Sequence, residues 1–488
     1  MKSAQLISLI FCLFIIQANA QEQLGIRLDN YAGINGVLLN PAHHLTTPFN
    51  WDVNLVEGAQ FFDNNYAYLR QTKLTDLLRN TSEIELLSAP DVDDESKVPD
   101  NTYIVDYYND SRRRYANIMT SVTGPSFYVR LNENHALGLF TRARFIANGK
   151  GVSDNLSYYV WDERPFFEEF SVDAFGLGAM SWGEVGLNYL YSTETSNGRL
   201  GLGISLKYLQ GYEAAYFQSE EDFQLTKLPN DSLSGSPVIV NFGFTNTNLD
   251  GDFQPKPNGV GAGLDLGLVY AIGNEEEGYR WKLGFSLIDI GFIRYNQAEQ
   301  HRIVTDATSL IHTTAYNSFD GLADLPETAQ TFSEQLLGNP DASLQGDGFN
   351  MFLPSAFSLQ VERGFSPSFF LSAALVQGFA MNKVATTRGS LLAISPRFES
   401  RWFGASVPVS VYNWQDVNLG LSLRLGFITL GTDNLLSVIN AGEFTGTDAY
   451  FAIKINPLGI GKSDGGSFSS GFKGRSKVGK GKVRCYDF

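Results

Sequence analysis

Apolar and polar residues alternate with a period of two along much of this 488-residue chain, a pattern that predicts β-strands. From Leu200 to Tyr208, Leu200, Leu202, Ile204, Leu206 and Tyr208 share one face, with Gly201, Gly203, Ser205 and Lys207 on the other. From Leu264 to Ile272, Leu264, Leu266, Leu268, Tyr270 and Ile272 oppose Asp265, Gly267, Val269 and Ala271. Later segments repeat the motif: Phe403, Ala405, Val407, Val409 and Val411; Val417, Leu419, Leu421, Leu423 and Leu425; and, last, Phe451, Ile453 and Ile455. One face is apolar and the other small or charged.

Candidate strands fall near 51–70, 115–131, 136–150, 176–193, 199–220, 257–273, 280–303, 350–364, 368–383, 388–400, 403–413, 417–426, 427–437 and 448–457. Such alternation fits a soluble β-sandwich as well as a barrel; connection lengths separate the two. Short turns at Asn132 to His135, Glu194 to Gly198, Asn274 to Tyr279 and Phe365 to Ser368 alternate with long polar connections near 71–114, 151–175, 221–257 and 304–350. Barrels of the outer membrane keep this rule, with short periplasmic turns and long extracellular loops. The expected fold is therefore all-β: a transmembrane antiparallel barrel of about fourteen strands, with both termini periplasmic.

Two local features refine that expectation. Along Trp281 to Ile293 the apolar face runs Trp281, Leu283, Phe285, Leu287 and then switches to Ile288, Ile290 and Phe292, which implies a bulge at Leu287-Ile288 that turns Asp289 inward. In the loop 304–350, Pro326 and Glu327 start a helix whose Phe332, Leu336 and Leu337 share a face and which Gly338-Asn339-Pro340 ends. A helix covering the barrel mouth is expected.

Residues 1–20 read as a signal peptide: Lys2, an apolar stretch from Leu6 to Ile16, and Ala18-Asn19-Ala20 before polar Gln21. The stretch is too short for a membrane anchor. Cys12 lies behind bulky Phe11, against lipoprotein processing, so cleavage after Ala20 is expected and leaves Cys485 as the only cysteine, unable to form an internal disulfide. With a mean hydropathy of −0.12 and no later apolar run of helical span, strands alone could cross a bilayer. The 48 Gly, 36 Phe and 22 Tyr suit barrel turns, lipid-facing strands and aromatic girdles. The acidic chain, −16 overall, argues against nucleic acid as a partner.

The expected organisation is thus a signal peptide (1–20), an N-terminal plug (21–48), a barrel (49–458) and a flexible basic tail (459–488). The tail opens with a Gly/Ser linker. Residues 462–488 carry +5 through Lys462, Lys473, Arg475, Lys477, Lys480, Lys482 and Arg484, while 21–461 carry −22. Lys473 to Arg484 could attract an anionic periplasmic protein or peptidoglycan, or be disordered excess. Phe488 ends no alternating strand, so Ala449 to Ile455 is the expected terminal strand.

The segments Asn35-Gly36-Val37-Leu38-Leu39-Asn40-Pro41-Ala42, Gly261 to Tyr270, Gly284 to Ile293 and Arg424 to Asn434 resemble an uncharacterised family of exported barrels related to PorP/SprF-type proteins of gliding and type IX secreting bacteria, and more distantly to FadL-like transporters. The FadL-like resemblance implies a fourteen-stranded barrel with an N-terminal plug that passes hydrophobic molecules. The PorP/SprF-like one implies support of secretion or of surface adhesins. Neither supplies a ligand-binding residue to carry over.

No nucleophile or metal motif surrounds the five histidines at 43, 44, 135, 301 and 312. The pair His43-His44 is expected to be solvated, and acidic Asp91-Val92-Asp93-Asp94-Glu95 lacks the spacing of a calcium loop. No enzyme activity and no cofactor are expected. Alternation directs Arg142, Arg144, Lys207, Asp265, Asp289, Arg294, Glu362, Arg424 and Lys454 into the lumen. Their mixed signs favour an ion-pair network packing a plugged barrel over an open conduit. Two roles follow: passage of small hydrophobic solutes by way of the plug around Asn40, Pro41 and Ala42, or a scaffold whose loops hold surface proteins and whose tail holds periplasmic ones.

Overall fold

A computed structural model describes residues 22–457 apart from 73–76, 78–84, 93, 95–96, 100–101, 248–255, 275–277, 306–308, 314–323, 383 and 440–441. The predicted signal peptide and basic tail, with Lys473, Arg475, Lys477, Lys480, Lys482 and Arg484, lie outside these residues, as do Asp93 and Glu95 of the acidic loop.

The chain forms a closed 14-strand antiparallel barrel. Its wall strands are β1 (Trp51–Asn64), β2 (Arg114–Thr123 with Ser126–Arg130), β3 (His135–Val152), β4 (Gly176–Thr195), β5 (Gly198–Ser219), β6 (Gly259–Asn274) and β7 (Gly278–Tyr295). They continue with β8 (Phe349–Phe352 with Ala356–Gly364), β9 (Phe369–Gly378), β10 (Leu391–Glu399), β11 (Phe403–Ser406 with Val409–Tyr412), β12 (Asp416–Leu419 with Leu421–Leu425), β13 (Ile428–Thr432) and β14 (Gly446–Ile455). Each matches one strand anticipated from alternation. The wall closes where β1 pairs with β14, from Val53↔Ile455 to Asp63↔Gly446, so no long edge is left unpaired.

One end of the barrel carries the short turns. The other carries the connections 65–113, 153–175, 220–258 and 296–348, and then three shorter ones, 379–390, 413–415 and 433–445. The short-long rule therefore lapses at 413–415, where Asn413 and Trp414 adopt positive φ in a tight turn at the loop end. Outward residues such as Leu187, Leu206, Val260, Leu359 and Leu430 are exposed and apolar, as a bilayer-facing wall requires. Among the described residues no helix is long and apolar enough to cross a membrane.

The bulge in β7 is real but sits one residue further along. Leu264 pairs with Ile290 and Leu266 with Leu287, so Asp265 faces the extra residue, and Asp289 takes φ 58. Asp289 turns inward as expected. Beyond it the facing of the strand reverses: Ile293 and Tyr295 are buried in the lumen, and Arg294 is exposed on the outside. The expectation that Arg294 lines the lumen is corrected by that one-residue insertion.

The loop helix spans Leu325–Leu337 and stops at Gly338, whose φ of 74 gives the left-handed C-cap. It does not cover the mouth. Ala329, Leu325, Phe332, Leu336 and Leu337 pack on Val238, Val240, Phe242, Phe244 and Ile303, the outer face of a two-stranded extension (Val238–Thr245 and Ala298–Thr305) that continues the wall above β5 and β7.

Candidate functional site

The lumen is filled from both ends. Residues 22–48 run inside the wall as short helical turns, among them Leu24–Arg27 and Asn30–Leu38. Glycines on the inner face make room. A Cβ on Gly203 would lie 2.3 Å from the Pro41 carbonyl carbon, and one on Gly267 2.3 Å from Asn40 Oδ1. Asn40 donates to the Leu268 carbonyl at 3.2 Å, its own oxygen accepts from the Ala42 amide at 3.0 Å, and the Pro41 carbonyl accepts from Asn188 at 3.1 Å. Asn40-Pro41-Ala42 is thus the point where the plug is pressed into the wall. Ile34, Val37, Ala42, Leu45 and Phe49 add apolar contact with Tyr128, Phe140, Leu190 and Phe370.

Charge ties the same segment down. Arg27 grips Glu57 through two bonds of 2.5 and 3.0 Å, Arg424 bonds Asp29 at 2.9 Å with its guanidinium 4.2 Å over the Tyr31 ring, and Lys454 reaches Asp52 at 2.9 Å and the carbonyls of Tyr31 and Ala32. Arg397 holds Glu362 at 2.5 Å and Glu399 at 3.2 Å and donates to the Leu28 carbonyl. Tyr279 and Ser372 donate to Glu362. His43 and His44, expected in solvent, are buried instead; His44 stacks on Tyr128 with centroids 3.7 Å apart, because the plug folds inward.

Higher in the lumen Asp289 gathers cations: Lys207 at 2.7 Å, Arg144 at 2.9 Å and Arg388 at 3.3 Å. Lys207 also meets Asp265 at 2.6 Å, and Glu184 lies 3.7 Å from both Arg142 and Arg144. Arg142, Arg144, Lys207, Asp265, Asp289, Glu362, Arg424 and Lys454 are all buried inside. The sequence reading missed Glu57, Glu184, Lys282, Arg397 and Glu399. Cross-strand register would have found two of them, since Glu184 pairs with Arg142 and Lys282 with Glu362. Arg27 and Asp29 follow no strand period, and Arg388, read as the start of a strand, lies before Leu391 where pairing begins, so none had such a signal. Among the described residues no group of His, Cys, Asp and Glu could hold a metal ion.

The same strands carry a second cavity on their outer side. Register places Ile118, Ala147, Ala179, Ala215 and Phe244 in one outward row, and Ala116, Gly149, Leu177, Phe217 and Phe242 in the next. Elsewhere the outward positions of these strands hold Phe145, Val185, Leu187, Leu206 and Tyr208, so the run of Ala and Gly sinks a groove into the wall. Leu325, Thr328, Ala329 and Phe332 of the loop helix border it, and its volume is about 630 Å³. Among the described residues no charged side chain lines it. That size and lining suit a small apolar ligand.

A model of a family of unknown function (DUF5723) matches residues 41–433, which is most of the barrel and the Asn40-Pro41-Ala42 contact from its second residue. The chain belongs to this family. The family match thus takes in the floor of the groove, the loop helix and the charge cluster around Asp289. No curated protein matches the chain. Among solved structures, the Pseudomonas putida toluene transporter TodX is 10% identical with a TM-score of 0.39, covering 87% of this chain and 94% of its own. The Ralstonia pickettii toluene transporter TbuX is 10% identical at 0.35, covering 87% and 94%, and the translocator domain of the autotransporter NalP from Neisseria meningitidis is 6% identical at 0.31, covering 90% and 100%. Likenesses this distant carry no argument about function. None of these three is of PorP/SprF type.

Proposed function

We propose that the protein is a non-enzymatic outer-membrane barrel that takes up small hydrophobic solutes, capturing them first in the outer groove. The groove carries this reading: an apolar cavity whose floor is built from Ala116, Ala147, Ala179 and Ala215. Its height is suggestive. β4 runs for 20 residues, about 66 Å at the usual rise, and a tilt near 40° leaves roughly 50 Å against an apolar band about 25 Å tall. Ala179, near the loop end of β4, then sits at the lipid–water boundary, where a poorly soluble molecule concentrates. In this reading the short-turn end and both termini face the periplasm, and lipid surrounds the wall.

The test is binding and uptake with defined probes. In lipid nanodiscs the protein should bind a fluorescent naphthalene probe that toluene or laurate displaces, and Ala179→Trp, which fills the floor, should weaken binding at least tenfold while the folded barrel keeps its heat-dependent gel mobility. Equal binding by Ala179→Trp would refute the groove as the capture site. A second reading, a scaffold for surface proteins, draws on two small sheets that order the loop end, built from Ala67–Thr72, Glu85–Ser88, Thr102–Tyr107 and Gly442–Phe444, and from Glu169–Val172, Phe223–Leu228, Ser232–Ser236 and Ser309–His312. It predicts a co-purifying surface protein that is lost when these loops are trimmed.

A further inference from the structure

The loop end of the lumen is closed by a short segment that ends where the wall strand Leu391–Glu399 begins, although alternation starts that strand at 388. Between β9 and β10, residues 384–390 fold inward rather than outward. Thr386 is fully buried and donates to the Phe352 carbonyl at 3.3 Å, and the Thr387 carbonyl accepts from Asn148 at 2.5 Å across the lumen. Val384 packs on an inward apolar cluster that includes Trp182, Tyr216, Tyr295, Phe349 and Met351. The barrel therefore has two closures, the plug entering from the short-turn end and this loop from the other.

They meet at one place. Glu22, the first described residue of the plug, lies 3.4 Å from Arg388 of the inward loop, and Arg388 lies 3.3 Å from Asp289 of the bulge. These are the longest contacts Arg388 and the plug make to their opposite charges: Arg27–Glu57 closes at 2.5 Å and Arg424–Asp29 at 2.9 Å. Arg388 Nε and Nη1 and Glu22 Oε1 are buried with no hydrogen-bond partner among the described residues. Buried ions held at ion-pair distance without hydrogen bonds are poorly compensated. Asp289 is itself over-determined: its amide donates to Asp265 at 2.7 Å, its carbonyl accepts from Ser355 at 2.7 Å, and its φ is 58. The joint thus consists of a weakly held arginine between an acid fixed on the wall and a buried acid on the plug.

We propose that Arg388 couples the two closures, so that withdrawing Glu22 frees the inward loop and lifting the loop frees the plug. When Glu22 leaves, Arg388 loses one of its two counter-ions while still buried, and moving toward water relieves that cost. When the loop lifts first, Glu22 is the group left buried and uncompensated, and the same argument drives the plug's first residues out. The two motions then favour one another, as coupled equilibria must. This deepens the uptake reading, which needs a lumen that opens, yet its test is independent of solute capture.

The experiment reads accessibility in each closure after a change in the other, using the full chain in nanodiscs with Cys485→Ser as background. A reporter cysteine at Thr386→Cys marks the loop and one at Ala42→Cys marks the plug, each titrated with a water-soluble maleimide. Glu22→Gln is expected to speed labelling at position 386, and Arg388→Gln at position 42, each at least tenfold. Combining Glu22→Gln with Arg388→Gln should add little beyond the larger single effect, and Arg388→Lys, which keeps the charge, should stay near the unsubstituted rate. Effects confined to the substituted closure, or additive in the double variant, overturn the proposal. Glu22→Gln lies at the end of the plug and leaves the wall untouched, so it decides the matter even if Arg388→Gln does not fold. Unchanged naphthalene binding in Ala179→Trp with this coupling intact would sink the capture site and leave the gate standing.

Discussion

The inner and outer faces of β3, β4 and β5 carry opposite chemistry on the same backbone. Inward stand Arg142, Arg144, Glu184 and Lys207, tied to Asp265 and Asp289. Outward, near the loop end, stand Ala147, Ala179 and Ala215, lining an apolar groove. Two side chains that alternate along one strand cannot share an environment, so the strand can build a dense ionic interior and an apolar surface independently. The inner face binds the protein's own plug. The outer face is left short of atoms, and that shortage is the groove on which the uptake proposal rests.

Breaking the comparison from the inside should have the largest effect. Asp289→Leu leaves Arg144, Lys207 and Arg388 facing one another without their shared acid, and uncompensated buried charge costs about 3–5 kcal/mol. A large fall in the urea midpoint of unfolding from nanodiscs or detergent is expected, and an unchanged midpoint would show that water, not Asp289, compensates these cations. Next comes the contact of plug and wall: Gly267→Val places carbon where Asn40 and Pro41 now sit, a clash of about 1–3 kcal/mol. It should loosen the plug with little effect on the wall, visible as faster proteolysis within residues 22–48 and unaltered heat-dependent gel mobility. Equal protection of the plug would mean that its ion pairs, not its fit, hold it.

The smallest effect is expected in the loop 65–113, away from both faces. There Arg112 hydrogen-bonds Asp110 and holds its carboxyl down at about 2, and Arg114 pairs with it at 2.8 Å. A carboxyl whose folded value lies below its unfolded one, about 3.9, stabilises the loop above that range. The contribution fades as the pH falls toward 2. Because Asp110 is partly exposed, Asp110→Asn should shift stability by less than about 1 kcal/mol at pH 7, and protease cleavage in the loop should differ from wild type at pH 6 but converge near pH 2. A difference that grows on acidification would contradict this.

Much of this was legible in the chain. Alternation located all the wall strands, and the break in phase along Trp281 to Ile293 announced a bulge and an inward Asp289. The placement of Arg294 failed because it kept the phase of the strand before the bulge, although that bulge reverses every side chain beyond it. The loop helix was found with its cap, but not its resting place, since its amphipathic face fits any apolar surface. The burial of His43 and His44 was missed although residues 21–48 were expected to form a plug, because no local pattern says which plug residues meet the wall.

What the sequence determined by itself is therefore the wall: strand number, facing and the segregation of apolar from charged positions, all local properties of a two-residue repeat. Only the tertiary structure decided what occupies the spaces that wall encloses. Glycines at 203 and 267 become sockets only when Asn40 and Pro41 arrive from more than 160 residues away, and alanines at 116, 147, 179 and 215 become a groove only when closure sets them side by side. Neither the plug's ion pairs nor the meeting of Glu22 with Arg388 has a sequence period, because they join segments that approach one another only after the barrel has closed.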